Sequence, residues 1–308
     1  MATDRRVFIR NILLGVGIIT ISPKIMFATE KCNVLHPFMP PNSQFSGECH
    51  NCGMKRPMWA RTWHTYSQGD SVKEVCSIHC LAEASLNSGI SPKNVKVALY
   101  LKPEVSIPVD EAFYVIGSKA RGTMTMKSKL AFASKKEAQQ FSDECGGSVT
   151  DFSGAYTAAM SSIAQENQMI NKNRLAKGKI VEPKDDVDLC PVCDMYPARY
   201  PKNKCQLQTA DGRVIHFCST QCLFEYLKNP DRYGGKKVMV KFMWVVDFST
   251  EQWIYAQNAY YVTGSNAAGP MGKEAFPFVS RKNAETFAAN YSGKVRPFKD
   301  VTIDEILN

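Results

Sequence analysis

The sequence lacks the short motifs that mark the common enzyme classes. It contains no glycine-rich phosphate loop, no G-x-S-x-G nucleophile elbow and no H-E-x-x-H metalloprotease motif. The motif C-x-x-C-H is absent as well, so covalent attachment of a c-type haem is not expected. These absences favour a binding protein, and we do not expect the chain to be an enzyme.

Dense positive charge is also missing. The chain has a formal net charge of +9, of which residues 1–28 supply +3 through four basic residues and one acid. Apart from a basic stretch at Lys172–Lys179, the other lysines and arginines are dispersed. Nucleic-acid-binding domains usually concentrate such residues on one face. The charge therefore indicates a solvated surface, and no nucleic acid partner is expected.

The apolar run at the amino terminus, Ile12–Ile21, is too short to span a bilayer comfortably. It follows Arg5-Arg6 and is typical of a twin-arginine-like export signal. We predict that residues 1–28 are a signal peptide cleaved after Ala28, which places the body of the protein in the periplasm. The alternative is an uncleaved segment that anchors the protein, and only then would the membrane be a partner.

The rest of the chain contains an internal repeat. Five sulfur-bearing positions recur at an offset of 141 or 142 residues: Cys49 and Cys190, Cys52 and Cys193, Met54 and Met195, Cys76 and Cys218, Cys80 and Cys222. The similarity continues in Ala112–Ser118 and Ala259–Ser265, and Met124 falls opposite Met271. Such self-similarity predicts two copies of one structural unit.

The repeat predicts the α+β class, with two tandem homologous domains at 47–152 and 188–308 joined by a linker at 153–187. Each domain is expected to hold a small mixed sheet, one or two helices and a cysteine-rich metal knuckle. One helix is predicted to begin at each C-x-x-x-C. Another is predicted near each domain end, at Lys135–Glu144 and Lys282–Asn290. The polar, alanine-rich linker is compatible with a helical spacer.

Each repeat supplies four thiols in two close pairs. The two sulfurs of a C-x-x-C turn can point to one centre, and C-x-x-x-C places two more one helical turn apart. Thiolates and thioethers are soft ligands that favour Cu(I), whereas four thiolates also satisfy Zn²⁺ in a closed tetrahedral site. The predicted metal ligands are Cys49, Cys52, Met54, Cys76, Cys80, Cys190, Cys193, Met195, Cys218 and Cys222.

Several of these assignments have a plainer alternative. In an exported protein, each set of four cysteines could instead form two disulfides. Met54 and Met195 could be core residues, because methionine fills irregular gaps readily. His79, Met124 and Met271 are weaker candidates for metal ligands.

Three of the eleven cysteines lie outside the two sets, namely Cys32, Cys145 and Cys205. Because the count is odd, at least one thiol has no disulfide partner within the chain. We expect Cys145 and Cys205 to be packing residues, since free cysteine is readily buried. A helix N-terminus beside Cys218 or Cys222 is expected to lower the pKa of that thiol.

Longer stretches of the second repeat resemble a known family. They are CPVCDMYPA at 190–198, YYVTGS at 260–265, GPMG at 269–272 and FVSRKNAETF at 278–287. These motifs resemble NosL, a copper chaperone-like accessory protein of nitrous oxide reductase assembly. The resemblance covers nearly all of residues 188–305. Residues 47–152 resemble a second, more diverged copy, in which Gly122-Thr-Met-Thr replaces Gly-Pro-Met-Gly.

The resemblance implies an extracytoplasmic protein that binds and delivers Cu(I) to a client copper enzyme, such as nitrous oxide reductase, or to its maturation complex. By motif, it assigns metal binding to Cys193 and Met195 and to Cys52 and Met54. The C-x-x-x-C pairs depart from the usual NosL pattern and resemble a small treble-clef-type metal-binding finger. The tandem copy behind a twin-arginine-like signal departs from the usual single-domain lipoprotein.

Two other function classes remain open at this point. One is a structural zinc-binding protein whose four-cysteine sets never release the ion. The other is a thiol–disulfide oxidoreductase that uses C-x-x-C. Such an enzyme would need only one labile pair and no methionine, so Met54 and Met195 argue against it.

The export signal can be tested by replacing both Arg5 and Arg6 with lysine. We expect precursor to accumulate in the cytoplasm, because the twin-arginine route requires the arginine pair. Fractionation and immunoblotting would measure this, with the unaltered chain as control. Normal export of the variant would show that another secretion route carries the protein.

Overall fold

The computed structural model describes Cys32 and residues 46–234 and 239–308. The predictions about residues 1–28 lie outside the described residues. Among the helices that are described, none is both long and apolar enough to cross a membrane.

The first half alternates short strands with helices. Its elements are α1 (Arg56–Trp59), β1 (His64–Gln68), β2 (Ser71–Val75), α2 (Ile78–Ser88), β3 (Lys93–Ala98), β4 (Ser106–Pro108), β5 (Phe113–Ile116), β6 (Lys129–Phe132), α3 (Lys135–Cys145) and β7 (Ser148–Thr150). They form two antiparallel sheets, with strand orders β2-β1-β3-β4 and β6-β5-β7. The long helix α4 (Phe152–Ala176) follows.

The second half repeats this arrangement. Its elements are β8 (Cys205–Thr209), β9 (Val214–Phe217), α5 (Thr220–Lys228), β10 (Val240–Val246), β11 (Trp253–Tyr255), β12 (Tyr260–Thr263), β13 (Phe276–Phe278), α6 (Arg281–Tyr291), β14 (Lys294–Pro297) and α7 (Ile303–Leu307). Short 3₁₀ turns in the two halves lie at Ala60–Thr62, Pro197–Arg199, Pro230–Tyr233, Ala256–Asn258 and Phe298–Asp300.

The two halves share their strand order and register. The sheets of the second half run β9-β8-β10-β11 and β13-β12-β14, and all their neighbouring strands are antiparallel. In the first hairpin of each half, His64 pairs with Val75 and Cys205 pairs with Phe217. The paired residue on the second strand immediately precedes the C-x-x-x-C segment. Equal register therefore presents both C-x-x-x-C segments at the same point of the fold.

The predicted α+β class and the tandem organisation are confirmed. The helices predicted at each C-x-x-x-C and near the end of each domain are present. The sheet content differs from the prediction. Each half has two small antiparallel sheets rather than one mixed sheet, because the short loop after β4 or β11 carries the chain away from the first sheet to begin a second one.

The predicted linker helix is not a free spacer in the structure. Helix α4 packs along α2. Its buried residues Ala155, Ala159 and Ile163 join the core that surrounds the first set of cysteines. These small and branched side chains recur every four residues, which places them on one face of a helix.

Each half has a main core that contains its cysteine set. The first core includes all four cysteines of its set with Trp63, Leu81 and Tyr114. The second includes Cys190, Cys218 and Cys222, and Cys193 packs at its edge. Smaller aromatic cores lie elsewhere, such as Phe132 and Phe141 in the first half, and Phe276 and Phe287 in the second.

One cysteine prediction is wrong. Cys145, at the end of α3, forms a disulfide with Cys32 rather than serving as a free packing residue. The two residues are 113 positions apart, so no local pattern could reveal the pair. The other nine cysteines are free. Among them, Cys205 is fully buried on β8, as the packing prediction requires.

Candidate metal centres

Each C-x-x-C-x-M segment folds into the same tight knuckle. In the first half the Cys49 N–H donates to the carbonyl of Met54 at 2.8 Å, and the Gly53 N–H donates to the carbonyl of Cys49 at 2.8 Å. In the second half the corresponding bonds, from Cys190 and Asp194, are both 2.9 Å. The turn needs a residue with positive φ before the methionine, and Gly53 (73°) and Asp194 (59°) supply it.

A serine sets the position of the other two thiols. Ser77 and Ser219 follow the first cysteine of each C-x-x-x-C and are the N-caps of α2 and α5. Their hydroxyl oxygens accept hydrogen bonds from the N–H groups of Cys80 at 3.4 Å and Cys222 at 3.1 Å. The cap fixes the start of the helix, so the second cysteine of the pair lies in its first turn and the first cysteine lies immediately before the cap. The repeated Cys-Ser pair is a signal that the sequence reasoning missed.

The knuckle and the capped helix bring four sulfurs together in each half. The four Sγ atoms of Cys49, Cys52, Cys76 and Cys80 lie within 4.8 Å of one another, and so do those of Cys190, Cys193, Cys218 and Cys222. We call these sets the first and second thiol clusters. All eight sulfurs are free of disulfides. The structure thus gathers every cysteine that the spacing assigned to a metal.

The sulfur spacing fits a single soft ion in each cluster. In the first cluster, the Cys76 sulfur is 3.6 Å from Cys52 and 3.5 Å from Cys80. In the second, the three distances among Cys193, Cys218 and Cys222 are 3.3, 3.7 and 3.7 Å. Four sulfurs held tetrahedrally at about 2.3 Å from zinc are about 3.8 Å apart. The clusters are therefore close to the geometry of a loaded thiolate site.

The thiols of each cluster differ in acidity. Burial opposes ionisation of Cys49, but hydrogen bonds from the other three thiols outweigh it and lower its pKa well below the usual value. Hydrogen bonds from Cys218 and Cys222 lower the pKa of Cys190 to about 2. Each cluster thus contains one knuckle thiol that ionises more readily than an ordinary cysteine. An incoming ion displaces the remaining protons, so metal affinity falls as the pH falls.

The expected effect of the helix N-terminus on Cys218 and Cys222 is wrong. The pKa of each thiol is raised, first of all because its proton is shared with the sulfur of Cys190. The hydrogen bonds with Cys190 are thus the largest cause of the raised pKa of both thiols. The deprotonated sulfur of the cluster belongs to the knuckle instead.

The methionines surround the clusters at half-buried positions. Met54 and Met124 pack against the first core, and Met195 and Met271 pack against the second. The Met195 sulfur accepts a hydrogen bond from the Tyr200 hydroxyl at 3.3 Å. The thioether thus has a hydrogen-bond partner of its own, and the four sulfurs gathered in each cluster are cysteine sulfurs.

His79 lies beside the first cluster but faces away from it. Its Nδ1 contacts Glu166 Oε2 at 2.7 Å, and its Nε2 contacts Asn167 Oδ1 at 3.2 Å. Both partners are on α4, and Asn167 also donates to Glu83 at 2.6 Å. The pKa of His79 is raised because the interactions with Glu166 and Glu83 outweigh the effect of burial. With both ring nitrogens engaged, His79 positions α2 against α4.

The second half uses different residues at the same place. Gln221 corresponds to His79, and its side-chain amide is placed to donate to the carbonyls of Met271 at 3.3 Å and Lys273 at 2.5 Å. The buried carboxylate of Glu274 accepts hydrogen bonds from the Gln221 N–H at 3.1 Å and from the Thr220 hydroxyl. Burial raises the pKa of Glu274 to about 7. The sequence reasoning missed both Glu166 and Glu274.

Two similar four-thiol clusters on a duplicated α+β scaffold define a protein with tandem candidate sites for a soft metal ion. The NosL family profile matches residues 42–159 and 182–306, which together make up most of the chain. The chain belongs to the NosL family. The predicted resemblance is thereby confirmed.

Known members of the family share part of this sequence. The copper-binding lipoprotein NosL of Stutzerimonas stutzeri is 28% identical over 124 residues, covering 38% of this chain and 63% of that protein. The match thus spans less than two thirds of that relative. The crystal structure of the copper chaperone NosL from Shewanella denitrificans is 31% identical and covers 40% of this chain and 96% of its own, with a TM-score of 0.36. The solution structure of apo-NosL from Achromobacter cycloclastes is 26% identical to this chain. The match covers 33% of this chain and 87% of that protein, with a TM-score of 0.27.

The role of Met195 can be tested with two substitutions. We expect Met195→Leu to keep both the fold and the metal affinity, since leucine preserves the packing and four cysteines remain. Met195→Ala should lower the free energy of unfolding by about 1–2 kcal/mol, less than for a fully buried methionine. Thermal melting and competitive titration with Cu(I) and Zn²⁺ would measure these effects.

Zinc serves as the control metal, because four thiolates bind it without a thioether. If Met195→Leu weakened Cu(I) binding but left Zn²⁺ binding unchanged, the thioether would be a copper ligand after all.

Proposed function

We propose that this protein binds Cu(I) outside the cytoplasm and delivers it to a copper enzyme or to the maturation complex of that enzyme. Each half supplies one site, formed by its thiol cluster. The protein would act as a carrier rather than as an enzyme. Its client would be a copper enzyme such as nitrous oxide reductase, in line with the relatives that are named copper-binding or copper chaperones.

The observation that carries this proposal is the state of the cysteines. Eight thiols converge without forming disulfides, although Cys32 and Cys145 in the same chain are disulfide-bonded. Disulfides persist mainly in oxidising compartments, which supports a periplasmic location. In such a compartment, thiols at 3.3–3.7 Å would be prone to oxidation unless an ion occupied them. Bound soft metal explains why the clusters are built as they are.

A structural zinc protein is the second candidate, and the sulfur spacing favours it. Distances of 3.3–3.7 Å are close to the roughly 3.8 Å expected for four thiolates around zinc. A thiol–disulfide oxidoreductase is less well supported, because a redox pair would not need the second pair of each cluster.

The stoichiometry provides the test. The full mature chain, reduced and free of metal, should bind at least two Cu(I) ions, one for each cluster. The double substitution of Cys190 and Cys193 by serine should remove one ion, because it takes two sulfurs from the second cluster alone. Anaerobic titration against a chromophoric Cu(I) chelator would count the ions.

Cys205→Ala is the matched control, since this buried thiol belongs to neither cluster. It should leave the count unchanged. A chain that binds fewer than two ions, or that prefers Zn²⁺ when both metals compete at the free concentrations found outside the cytoplasm, would contradict the copper carrier.

A further inference from the structure

The two thiol clusters differ in their access to solvent. All four sulfur-bearing residues of the first cluster are buried, and Cys52 is only 8% exposed. In the second cluster, Cys190, Cys218 and Cys222 are buried but Cys193 is half-buried. Cys52 and Cys193 are equivalent positions, the second cysteine of each knuckle. The asymmetry therefore comes from what surrounds the knuckles, not from their own structure.

The first knuckle is covered by the second half of the chain. Gly53 lies against Tyr255 so closely that a Cβ at this position would be 3.3 Å from the Tyr255 hydroxyl oxygen. The side-chain amide of Asn258 donates a hydrogen bond to the carbonyl of Asn51, inside the same knuckle. Helix α2, which carries Cys80, also contacts α6 of the second half. These contacts join the two halves at the knuckle and the helix that carry the first cluster.

The second knuckle has a different residue at the position directly after its second cysteine. Asp194 occupies the position of Gly53 and is exposed to solvent. The helix α5, which supplies two sulfurs to the second cluster, contacts β8, β9 and α7 of its own half. Cys193, next to this charged and exposed residue, is half-buried rather than buried.

A cleft between the halves does not reach the first cluster. It has a volume of about 300 Å³, and its lining includes Asn51, Tyr255 and Asn258. None of the four cysteines of the first cluster lines it. An acceptor in this cleft would contact Tyr255 and Asn258, which we call the cover of the first cluster, rather than a sulfur.

Metal transfer between proteins requires a donor atom of the acceptor to reach the ion. When an acceptor thiol binds, its sulfur lone pair replaces that of one departing cysteine, and its proton passes to the departing thiolate. The ion keeps its oxidation state. Such an exchange begins at a sulfur that a partner can approach, and Cys193 is half-buried whereas Cys52 is not accessible in this way.

We infer that the two clusters have different roles: the first retains its ion as a resident site, and the second exchanges its ion with an acceptor through Cys193. This inference rests on the proposed function, because it takes both clusters to bind metal. The second half of the chain thus serves two purposes. It carries the exchanging site, and its Tyr255 and Asn258 close the resident site.

The experiment measures the release of metal from the full chain. Protein loaded anaerobically with two equivalents of Cu(I) is mixed with excess bathocuproine disulfonate, and formation of the coloured complex is followed with time. Two phases of equal amplitude are expected, with rates that differ about ten-fold or more. The ion of the first cluster should give the slow phase, because its release requires local opening of the cover. Cys193→Ser should remove the fast phase, and the matched variant Cys52→Ser should remove the slow one.

The cover is tested separately. Tyr255→Ala should accelerate the slow phase about five-fold or more and leave the fast phase unchanged, because it opens the path to the first cluster. Tyr255→Phe keeps the ring and should behave like the parent. Thermal melting shows whether Tyr255→Ala is folded, and Asn258→Ala provides a milder second opening.

The outcomes separate this inference from the proposed function. If the chain fails to bind two Cu(I) ions, the proposed function fails before any rate is measured. If two ions bind but leave at one rate, or if Cys52→Ser removes the fast phase, the division of roles is wrong while the carrier function stands. Folded Tyr255→Ala and Asn258→Ala variants with an unchanged slow phase would show that the second half does not close the first site.

Discussion

The close approach of four sulfur atoms is the constraint on which each half of this protein depends. Cys52 contacts Cys76 across 24 residues, and Cys193 contacts Cys218 across 25, so two separate segments must meet to bring these sulfurs to 3.6 and 3.3 Å. A rigid knuckle supplies one pair of sulfurs, and a serine-capped helix supplies the other. The hairpin, which ends immediately before the C-x-x-x-C segment, fixes the distance between these segments. Buried thiols at this spacing would repel one another once ionised, and a bound cation removes that repulsion.

The two halves share the positions of their cluster cysteines but differ in the polar contacts that hold the cysteine-bearing helices in place. In the first half, an ion pair between His79 and Glu166 fastens α2 to the long helix α4. In the second half, Gln221 and Glu274 fasten α5 to the loop after Met271. Both sets of contacts use the residue directly before the second cysteine of C-x-x-x-C, and this residue differs between the halves while the cysteines do not. The copies can then acquire different exposure and different exchange behaviour while the same four sulfurs bind the ion.

The local parts of the fold and site could be predicted from the sequence. A helix was expected at Lys135–Glu144 and is found at Lys135–Cys145, because its capping residue and amphipathic pattern lie within one segment. The eight cluster cysteines were identified for the same reason, since ligand spacing in a turn or a helix is a local property. The repeat itself revealed the tandem halves.

The remaining features depend on contacts between distant segments. The disulfide between Cys32 and Cys145 spans 113 residues, and the packing of Tyr255 on Gly53 joins the two halves. The pKa of Cys218 follows from the positions of neighbouring sulfurs, which the sequence does not specify. Neither distance nor burial can be derived from the spacing of a motif, so these features required the structure.

If the sulfurs of the thiol clusters bind the metal, X-ray absorption at the copper edge of the full chain, loaded anaerobically with two Cu(I) ions, should show a first coordination shell of sulfur alone. With Zn²⁺ bound instead, the shell should hold four sulfurs at about 2.3 Å. A shell that contains nitrogen or oxygen neighbours would contradict binding by the clusters, because the ion would then lie outside them.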